Sequence, residues 1–213
     1  MKIFKNKKEF IEESILPQQV VLDIGFWGQG VNPDSPQWVH GILRAHAKEV
    51  WGIDMSYDKS RVPGDPTHYM EASAESFSLP KQFDVVFAGD LIEHLSNPGL
   101  FLSCARKQLR PGGRLIITTP NAFNIFSIAE KFSKGEPTVN PDHTCYFNSK
   151  TLEQLLQKNG WKVERVDFIY TLGDLHRESW KKKVLNGIYW LFSKMTPRLV
   201  ETLAVTATPT LAV

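Results

Sequence analysis

The stretch Val20-Val21-Leu22-Asp23-Ile24-Gly25-Phe26-Trp27-Gly28-Gln29-Gly30 joins a short apolar run to a glycine-rich turn. Short apolar runs that end at glycine are typical of buried β-strands. The glycines that follow would let backbone N–H groups approach a ligand closely. The same pattern also occurs as a simple turn, so the stretch alone leaves both readings open.

Strand and helix patterns alternate on either side of this stretch. We predict helices at 7–16, 36–47, 97–109 and 149–159, and further strands at 50–53, 68–71, 83–88, 115–119, 161–169 and 202–208. Asp34 or Ser35 is the predicted N-cap of the second helix, with Pro36 at its first position. Ser149 is the predicted N-cap of the last. This alternation predicts an α/β fold with seven strands, mostly parallel, and helices on both faces of the sheet.

Composition and charge limit the possible classes of protein. The chain has 213 residues, with 25 basic and 23 acidic side chains and a formal net charge of +2. This balance argues against nucleic-acid binding through bulk electrostatics. Cys104 and Cys145 lie far apart without metal-ligand spacing, so we predict a reducing compartment and no metal site. The charged N-terminus is unlike a signal peptide, and no apolar run approaches the ~20 residues that cross a bilayer. We therefore expect a cytoplasmic protein with one domain over 1–213.

Three features follow neighbouring predicted strands. They are the glycine-rich turn, Asp54 after the strand at 50–53, and the segment 90–95 after the strand at 83–88. Ligands in doubly wound sheets bind beyond the carboxyl ends of the strands. Alone, Asp54 could cap a helix and Glu93 could be a solvated charge. Their shared location favours a binding site.

The order of these motifs resembles that of class I S-adenosylmethionine-dependent methyltransferases, from about residue 18 to 208. The segment 21–25 looks like their first motif, Asp54 like their ribose-binding acid, and 72–75 like their adenine-contacting stretch. The segments 90–95 and 110–121 match further motifs of the family. The resemblance implies a Rossmann-like sheet with an antiparallel last strand, and S-adenosylmethionine as cofactor. The cofactor-binding residues that it implies are Asp23, Gly25, Phe26, Trp27, Gly28, Asp54, Met55, Ser73, Ala74, Glu75, Gly89 and Asp90.

The sequence departs from the family pattern at two places. The usual Gly-Cys-Gly-x-Gly is replaced by the segment 25–30, and we interpret Phe26 or Trp27 as stacking near the cofactor. Ser73 replaces the acid that contacts adenine. A hydroxyl can still accept a hydrogen bond, but a charge-assisted bond is roughly twice as strong as a neutral one. These departures therefore leave open the affinity for the cofactor rather than its identity.

Methyl transfer to a hydroxyl group would benefit from a general base with a pKa near the working pH. His94 and His143 fall in the expected region, and we favour His143 as the base, with Tyr146 close in sequence. Packing is the alternative for His94, and lid closure for His143. An amine acceptor would need no base. His40 and His46 are predicted to be surface or packing residues.

Two segments are predicted to be insertions. The first, 121–148, is the expected lid over the acceptor pocket, with Phe123, Phe126, Ile128 and Phe132 at a helical spacing that usually indicates packing. The second, 173–198, contains a basic cluster and an aromatic face at 180–192. That face could contact a membrane surface, pack over the sheet, or form a homodimer interface.

The sequence thus favours methyl transfer to an oxygen of a small-molecule acceptor such as a sugar, a quinone or a secondary metabolite. A nucleotide-dependent oxidoreductase is one alternative, but it would carry Gly-x-Gly-x-x-Gly after the first strand. The segment 25–30 runs Gly-x-x-Gly-x-Gly instead. A binding or scaffold protein that has lost turnover is the other alternative, because fold alone does not decide function.

Overall fold

Eight strands make one continuous sheet in the order β1-β7-β8-β6-β5-β2-β3-β4. The computed structural model describes residues 1–28, 32–171, 189, 191 and 196–210. The strands are β1 (Ile3–Phe4), β2 (Val20–Ile24), β3 (Glu49–Asp54), β4 (Tyr69–Glu71), β5 (Phe83–Gly89), β6 (Leu109–Pro120), β7 (Trp161–Ile169) and β8 (Thr202–Pro209). The α-helices whose bounds lie within the described residues are α1 (Lys7–Ser14), α2 (Val39–His46), α3 (Pro98–Lys107), α4 (Ile125–Lys134) and α5 (Ser149–Lys158).

The pairing of the strands confirms a mostly parallel sheet with an antiparallel last strand. β8 runs antiparallel to both β6 and β7, and the other neighbouring strands are parallel. The two-residue strand β1 adds an edge beyond the seven predicted strands, pairing Ile3 with Phe168 and Phe4 with Ile169. The strand order reverses between β2 and β5, which lie side by side at the centre. The carboxyl ends of these two strands therefore mark the expected ligand site.

Helices cover both faces of the sheet because each carries an apolar stripe. On one face, Phe101 of α3 and Leu152 of α5 join a core with strand residues such as Phe83. On the other, Phe10 of α1 and Leu43 of α2 pack against a second set of strand side chains. All five residues of β2 are buried, as expected for a central parallel strand between two helical layers.

The predicted N-caps of two helices are wrong. α2 begins at Val39 rather than at Pro36, and its N-cap is Trp38 in an extended conformation, not Asp34 or Ser35. The Trp38 side chain donates a hydrogen bond to the Phe26 carbonyl, which holds this residue outside the helix. The N-cap of α5 is Asn148 rather than Ser149.

The lid segment contains α4, and its aromatic side chains are largely exposed, although the Phe126 ring lies 5.3 Å from the ring of Tyr189. Phe123, Phe126 and Phe132 are 59%, 44% and 88% exposed, and α4 has no buried residue. The basic cluster of the second insertion, and with it the predicted membrane contact, lies outside the described residues. Within the described part of the chain, no helix combines the length and apolarity needed to span a bilayer.

Candidate active site

A cleft of about 960 Å³ opens at the carboxyl ends of β2, β3 and β5. The structure brings eleven of the twelve predicted cofactor residues to its walls: Gly25, Phe26, Trp27, Gly28, Asp54, Met55, Ser73, Ala74, Glu75, Gly89 and Asp90. The twelfth, Asp23, is buried in β2 behind them. The cleft therefore lies where the order of the strands reverses, as the sequence predicted.

The turn after β2 requires glycine at its first position. Gly25 has φ +79, a left-handed conformation that L side chains rarely adopt, and a Cβ there would lie 3.1 Å from Leu91. The Gly25 N–H donates to the Ile53 carbonyl at 2.7 Å. The backbone of the turn is thus drawn close to the end of β3, which leaves the cleft open above it.

Asp54 is the last residue of β3 and accepts hydrogen bonds from this turn. The N–H groups of Trp27 and Gly28 donate to its Oδ2 at 2.9 and 3.2 Å. The Ser56 N–H donates to Oδ1 at 3.3 Å. The Asp54 carboxylate is therefore held at the wall of the cleft. A ligand hydroxyl that binds there would donate to carboxylate oxygens that already accept from backbone N–H groups.

The side chain of Phe26 does not lie free for stacking on a ligand. It is 4% exposed, and its ring packs against Tyr57 and Tyr69 with centroids 5.2 and 5.1 Å away. Trp27 contacts Trp38 edge-on at 6.1 Å and lines the cleft. Of the two aromatic residues proposed for stacking, Phe26 is thus committed to the protein interior.

The predicted adenine region is shaped by local hydrogen bonds. The Ser73 Oγ accepts from the Glu75 N–H at 3.2 Å. The Glu75 carboxylate accepts from the backbone and side-chain N–H groups of Asn97 at 2.8 and 2.9 Å. These bonds hold the pKa of Glu75 below its usual value, so this carboxylate is charged and oriented by Asn97.

Asp90 stands at the end of β5 in a strained conformation. It is a non-glycine residue with φ +49, and such strain is often found at functional sites. Its Oδ1 accepts from the Thr118 hydroxyl at 3.1 Å, and its Oδ2 forms an ion pair with Lys7 of α1. Lys7 also lines the cleft. Sequence reasoning missed this lysine because no local pattern joins positions 83 residues apart.

His94 and His143 meet beside the cleft. Their rings are perpendicular, with centroids 4.6 Å apart, and His94 Nδ1 lies 3.2 Å from the Asp142 carbonyl. Burial and the neighbouring His94 lower the pKa of His143, which favours a neutral ring. His94 lines the cleft, whereas His143 and Tyr146 are not among the lining residues. The Tyr146 side chain is 57% exposed.

Glu93 is not a solvated helix charge. It is 2% exposed, and its Oε2 accepts from the Thr119 hydroxyl at 2.9 Å, whereas Oε1 has no hydrogen-bond partner. Burial, together with the nearby Asp90, raises the pKa of Glu93 to about 7. Possible ligand atoms of Glu93, His94 and His143 lie within 4.8 Å of one another, and this donor set suits a divalent transition metal.

Comparison with known proteins agrees with this geometry. A family model described as "Methyltransferase domain" matches residues 7–166. The chain belongs to this methyltransferase family. The resemblance to class I S-adenosylmethionine-dependent methyltransferases is thereby confirmed.

Several relatives carry specific names. A Mycolicibacterium smegmatis protein named as a probable S-adenosylmethionine-dependent methyltransferase is 33% identical over 163 residues, covering 73% of this chain and 55% of that protein. The ubiquinone biosynthesis O-methyltransferase of Aeromonas salmonicida is 27% identical, covering 61% of this chain and 52% of its own. The methyltransferase chain thus spans about half the length of these relatives.

Solved structures show the same fold. A S-adenosylmethionine-dependent methyltransferase from Archaeoglobus fulgidus superposes with a TM-score of 0.58 and 19% identity, covering 94% of this chain and 93% of that one. At this identity the likeness concerns the fold alone.

Proposed function

We propose that this chain transfers the methyl group of S-adenosylmethionine to an oxygen of a small-molecule acceptor. The observation that carries the proposal is the placement of the Asp54 carboxylate beside the Gly25 turn, on the wall of the cleft. This pairing gives the cleft an acceptor for ribose hydroxyls and a glycine turn that leaves room for the rest of the cofactor. The relative named for ubiquinone biosynthesis supports oxygen as the acceptor atom.

The walls of the cleft suggest where each part of the cofactor would bind. Ser73 and Ala74 border the position proposed for adenine, and Asp54 that proposed for ribose. The ion pair of Lys7 and Asp90 presents both charges needed by an α-amino carboxylate, which carries one ammonium and one carboxylate group. Each of these contacts is a proposal that binding measurements can test.

The protein residues would mainly hold the acceptor in line and remove its proton. S-adenosylmethionine supplies an activated methyl group when bound, so a near-attack geometry accounts for much of the rate. We propose His143 as the proton acceptor, because its lowered pKa keeps the ring neutral near pH 7. His94 would position His143 through their ring contact.

Replacing His143 tests this assignment. We expect His143→Ala to lower kcat by roughly 10²–10⁴ and to leave the affinity for S-adenosylhomocysteine unchanged. In the unaltered chain, the acid limb of the kcat profile should have its midpoint below pH 6.5, and this limb should be lost in the variant. His94→Ala and Tyr146→Phe are the matched comparisons. Normal turnover in the His143 variant would show that His143 is not the base.

A divalent cation bound by Glu93, His94 and His143 is the second candidate mechanism. The observation that favours it is the unpartnered Oε1 of the buried Glu93, because a buried carboxylate oxygen without a partner is costly. A cation there would polarise the acceptor hydroxyl and replace the base. Metal analysis of the purified protein, followed by assays with EDTA and with added Zn²⁺, Mn²⁺ or Mg²⁺, separates the two mechanisms. Activity that survives complete metal removal would exclude the cation.

A further inference from the structure

Asp23, His40 and Tyr69 form a line of hydrogen bonds beside the turn after β2, and Asp23 and His40 in it are buried. His40 Nδ1 lies 2.9 Å from Asp23 Oδ2, and His40 Nε2 lies 3.1 Å from the Tyr69 hydroxyl. The Tyr69 hydroxyl donates to the Pro63 carbonyl at 2.9 Å. Asp23 and His40 are 2% and 0% exposed, so bulk water does not compete for the bond between them. His40 is therefore neither a surface residue nor a simple packing residue.

The partners of this line determine where its hydrogens lie. Because the Tyr69 hydroxyl gives its hydrogen to Pro63, it accepts one from His40 Nε2. A neutral ring protonated on Nε2 presents a bare Nδ1, so the hydrogen between Asp23 and His40 then belongs to a protonated carboxyl. The alternative is a cationic ring beside a carboxylate. In both states one hydrogen lies between Asp23 and His40. Burial raises the pKa of Asp23, which favours keeping this hydrogen.

The His40 ring packs against the ring of Phe26. Their centroids are 4.9 Å apart, and Phe26 also contacts the ring of Tyr69. The Phe26 ring lies so close to β3 that a Cβ on Gly52 would be 2.7 Å from it. The Trp38 indole N–H donates to the Phe26 carbonyl at 3.0 Å. Both the side chain and the main chain of Phe26 are therefore fixed.

The position of Phe26 sets the position of the next two backbone N–H groups. These belong to Trp27 and Gly28, and both donate to Asp54 Oδ2. Asp54 is thus oriented by a turn that is itself anchored through Phe26. His40 is not among the residues that line the cleft, so its effect on Asp54 would pass through these contacts.

We propose that His40 is a positioning residue of the cofactor site. Through its bonds to Asp23 and Tyr69, it holds the Phe26 anchor and with it the turn that orients Asp54 for the ribose hydroxyls. This inference rests on the proposed function, since it takes the cleft to bind S-adenosylmethionine. It also gives a physical role to the aromatic residues that replace the small residues of the family's first motif.

The Tyr69→Phe variant tests the role of these hydrogen bonds while keeping the aromatic ring that packs against Phe26. It removes one hydroxyl and therefore the acceptor of His40 Nε2, but it leaves the ring against Phe26. We expect the dissociation constant of S-adenosylhomocysteine, measured by calorimetry, to rise about 3- to 10-fold. The KM for S-adenosylmethionine should rise similarly, with kcat at saturation unchanged. Tyr57→Phe is the matched control, because its ring also contacts Phe26 and its hydroxyl is outside the line. The control should bind like the unaltered chain.

Two substitutions of His40 provide a rescue experiment. His40→Phe keeps a ring beneath Phe26 but leaves the buried Asp23 without its partner. His40→Asn places an amide donor near the position of Nδ1, so it should recover part of the affinity that His40→Phe loses. Thermal unfolding without ligand shows whether each variant is folded. If the His40 variants do not fold, the comparison of Tyr69→Phe with Tyr57→Phe decides whether the hydrogen bonds of His40 control cofactor affinity.

Several outcomes would overturn the proposal. A Tyr69→Phe variant with a lower melting temperature but unchanged affinity and KM would give the line a purely structural role. Equal weakening in Tyr57→Phe, which also keeps its ring, would mean that losing either hydroxyl near Phe26 weakens binding and that the hydrogen bonds of His40 have no specific role. A failure of the proposed function is distinguishable, because the unaltered chain would then not bind S-adenosylhomocysteine at all.

Discussion

Glu93 illustrates how burial changes the meaning of a charged residue. Its sequence position after β5 was compatible with a solvated charge, yet its side chain is buried, and the segment that carries His143 is bonded to its main chain. The N–H groups of Thr144 and Cys145 both donate to the Glu93 carbonyl, at 2.8 and 3.2 Å. No sequence pattern shows which segment will cover a residue from about fifty positions away, so Glu93, like Lys7 and His40, could be interpreted only in the structure.

The raised pKa of Glu93 predicts how stability depends on pH. The pKa is about 7 in the folded chain, against the ordinary glutamate value of 4.5, so the native state binds this proton more tightly than the unfolded state. The resulting stabilisation is complete below about pH 4.5 and is lost as pH rises through 7.

Glu93→Gln is the variant that measures this effect. It should remove this part of the pH dependence and, relative to the unaltered chain, gain about 2–3 kcal/mol in unfolding free energy between pH 4.5 and pH 8. Urea unfolding of both proteins at several pH values, with EDTA present, provides the measurement. Parallel pH curves for the two proteins would contradict the assignment.

Elements were predicted well where their own residues determine them and poorly where tertiary contacts do. β2 and β5 lie where their apolar runs predicted, since a central strand is buried on both faces. β1 was missed because two residues form a strand only by pairing with β7. The start of α2 was misplaced because Trp38 is held by Phe26, a contact that the favourable cap residues at positions 34–36 could not reveal.

The cap of α5 gives a prediction at this scale. The Asn148 side chain accepts from the Lys150 and Thr151 N–H groups, and the Thr151 hydroxyl accepts from the Asn148 N–H. Removing such a cap costs about 1 kcal/mol, so Asn148→Ala should lower the melting temperature by roughly 2–4 °C. Ser149→Ala is the control and should have little effect, and the reverse ranking of the two variants in a thermal melt would restore Ser149 as the cap.

At the scale of the whole molecule, the alternation of strands and helices was enough to predict the architecture. Parallel neighbours require crossover connections, and nearly all such connections are right-handed, so few sheet orders are possible. The cleft follows from that order because the Gly25 turn, Asp54 and Asp90 end neighbouring strands. The hydrogen bonds inside the cleft do not follow from it, because they depend on which side chains the insertions and the N-terminal helix bring to the strand ends.

Ligand-dependent thermal stability tests this architecture as a cofactor site. A ligand that binds only the folded chain, present at 100 times its dissociation constant, stabilises it by about 2.7 kcal/mol. For a domain of this size, each kcal/mol raises the melting temperature by roughly 2–4 °C, so S-adenosylhomocysteine should raise it by about 5–10 °C. NAD should produce no shift, because the turn after β2 lacks the dinucleotide-binding spacing of glycines. Asp54→Ala should remove most of the shift without lowering the melting temperature of the ligand-free protein by a comparable amount. A shift with NAD instead would favour the oxidoreductase. An undiminished shift with S-adenosylhomocysteine in the Asp54 variant would mean that other residues of the cleft bind the ribose.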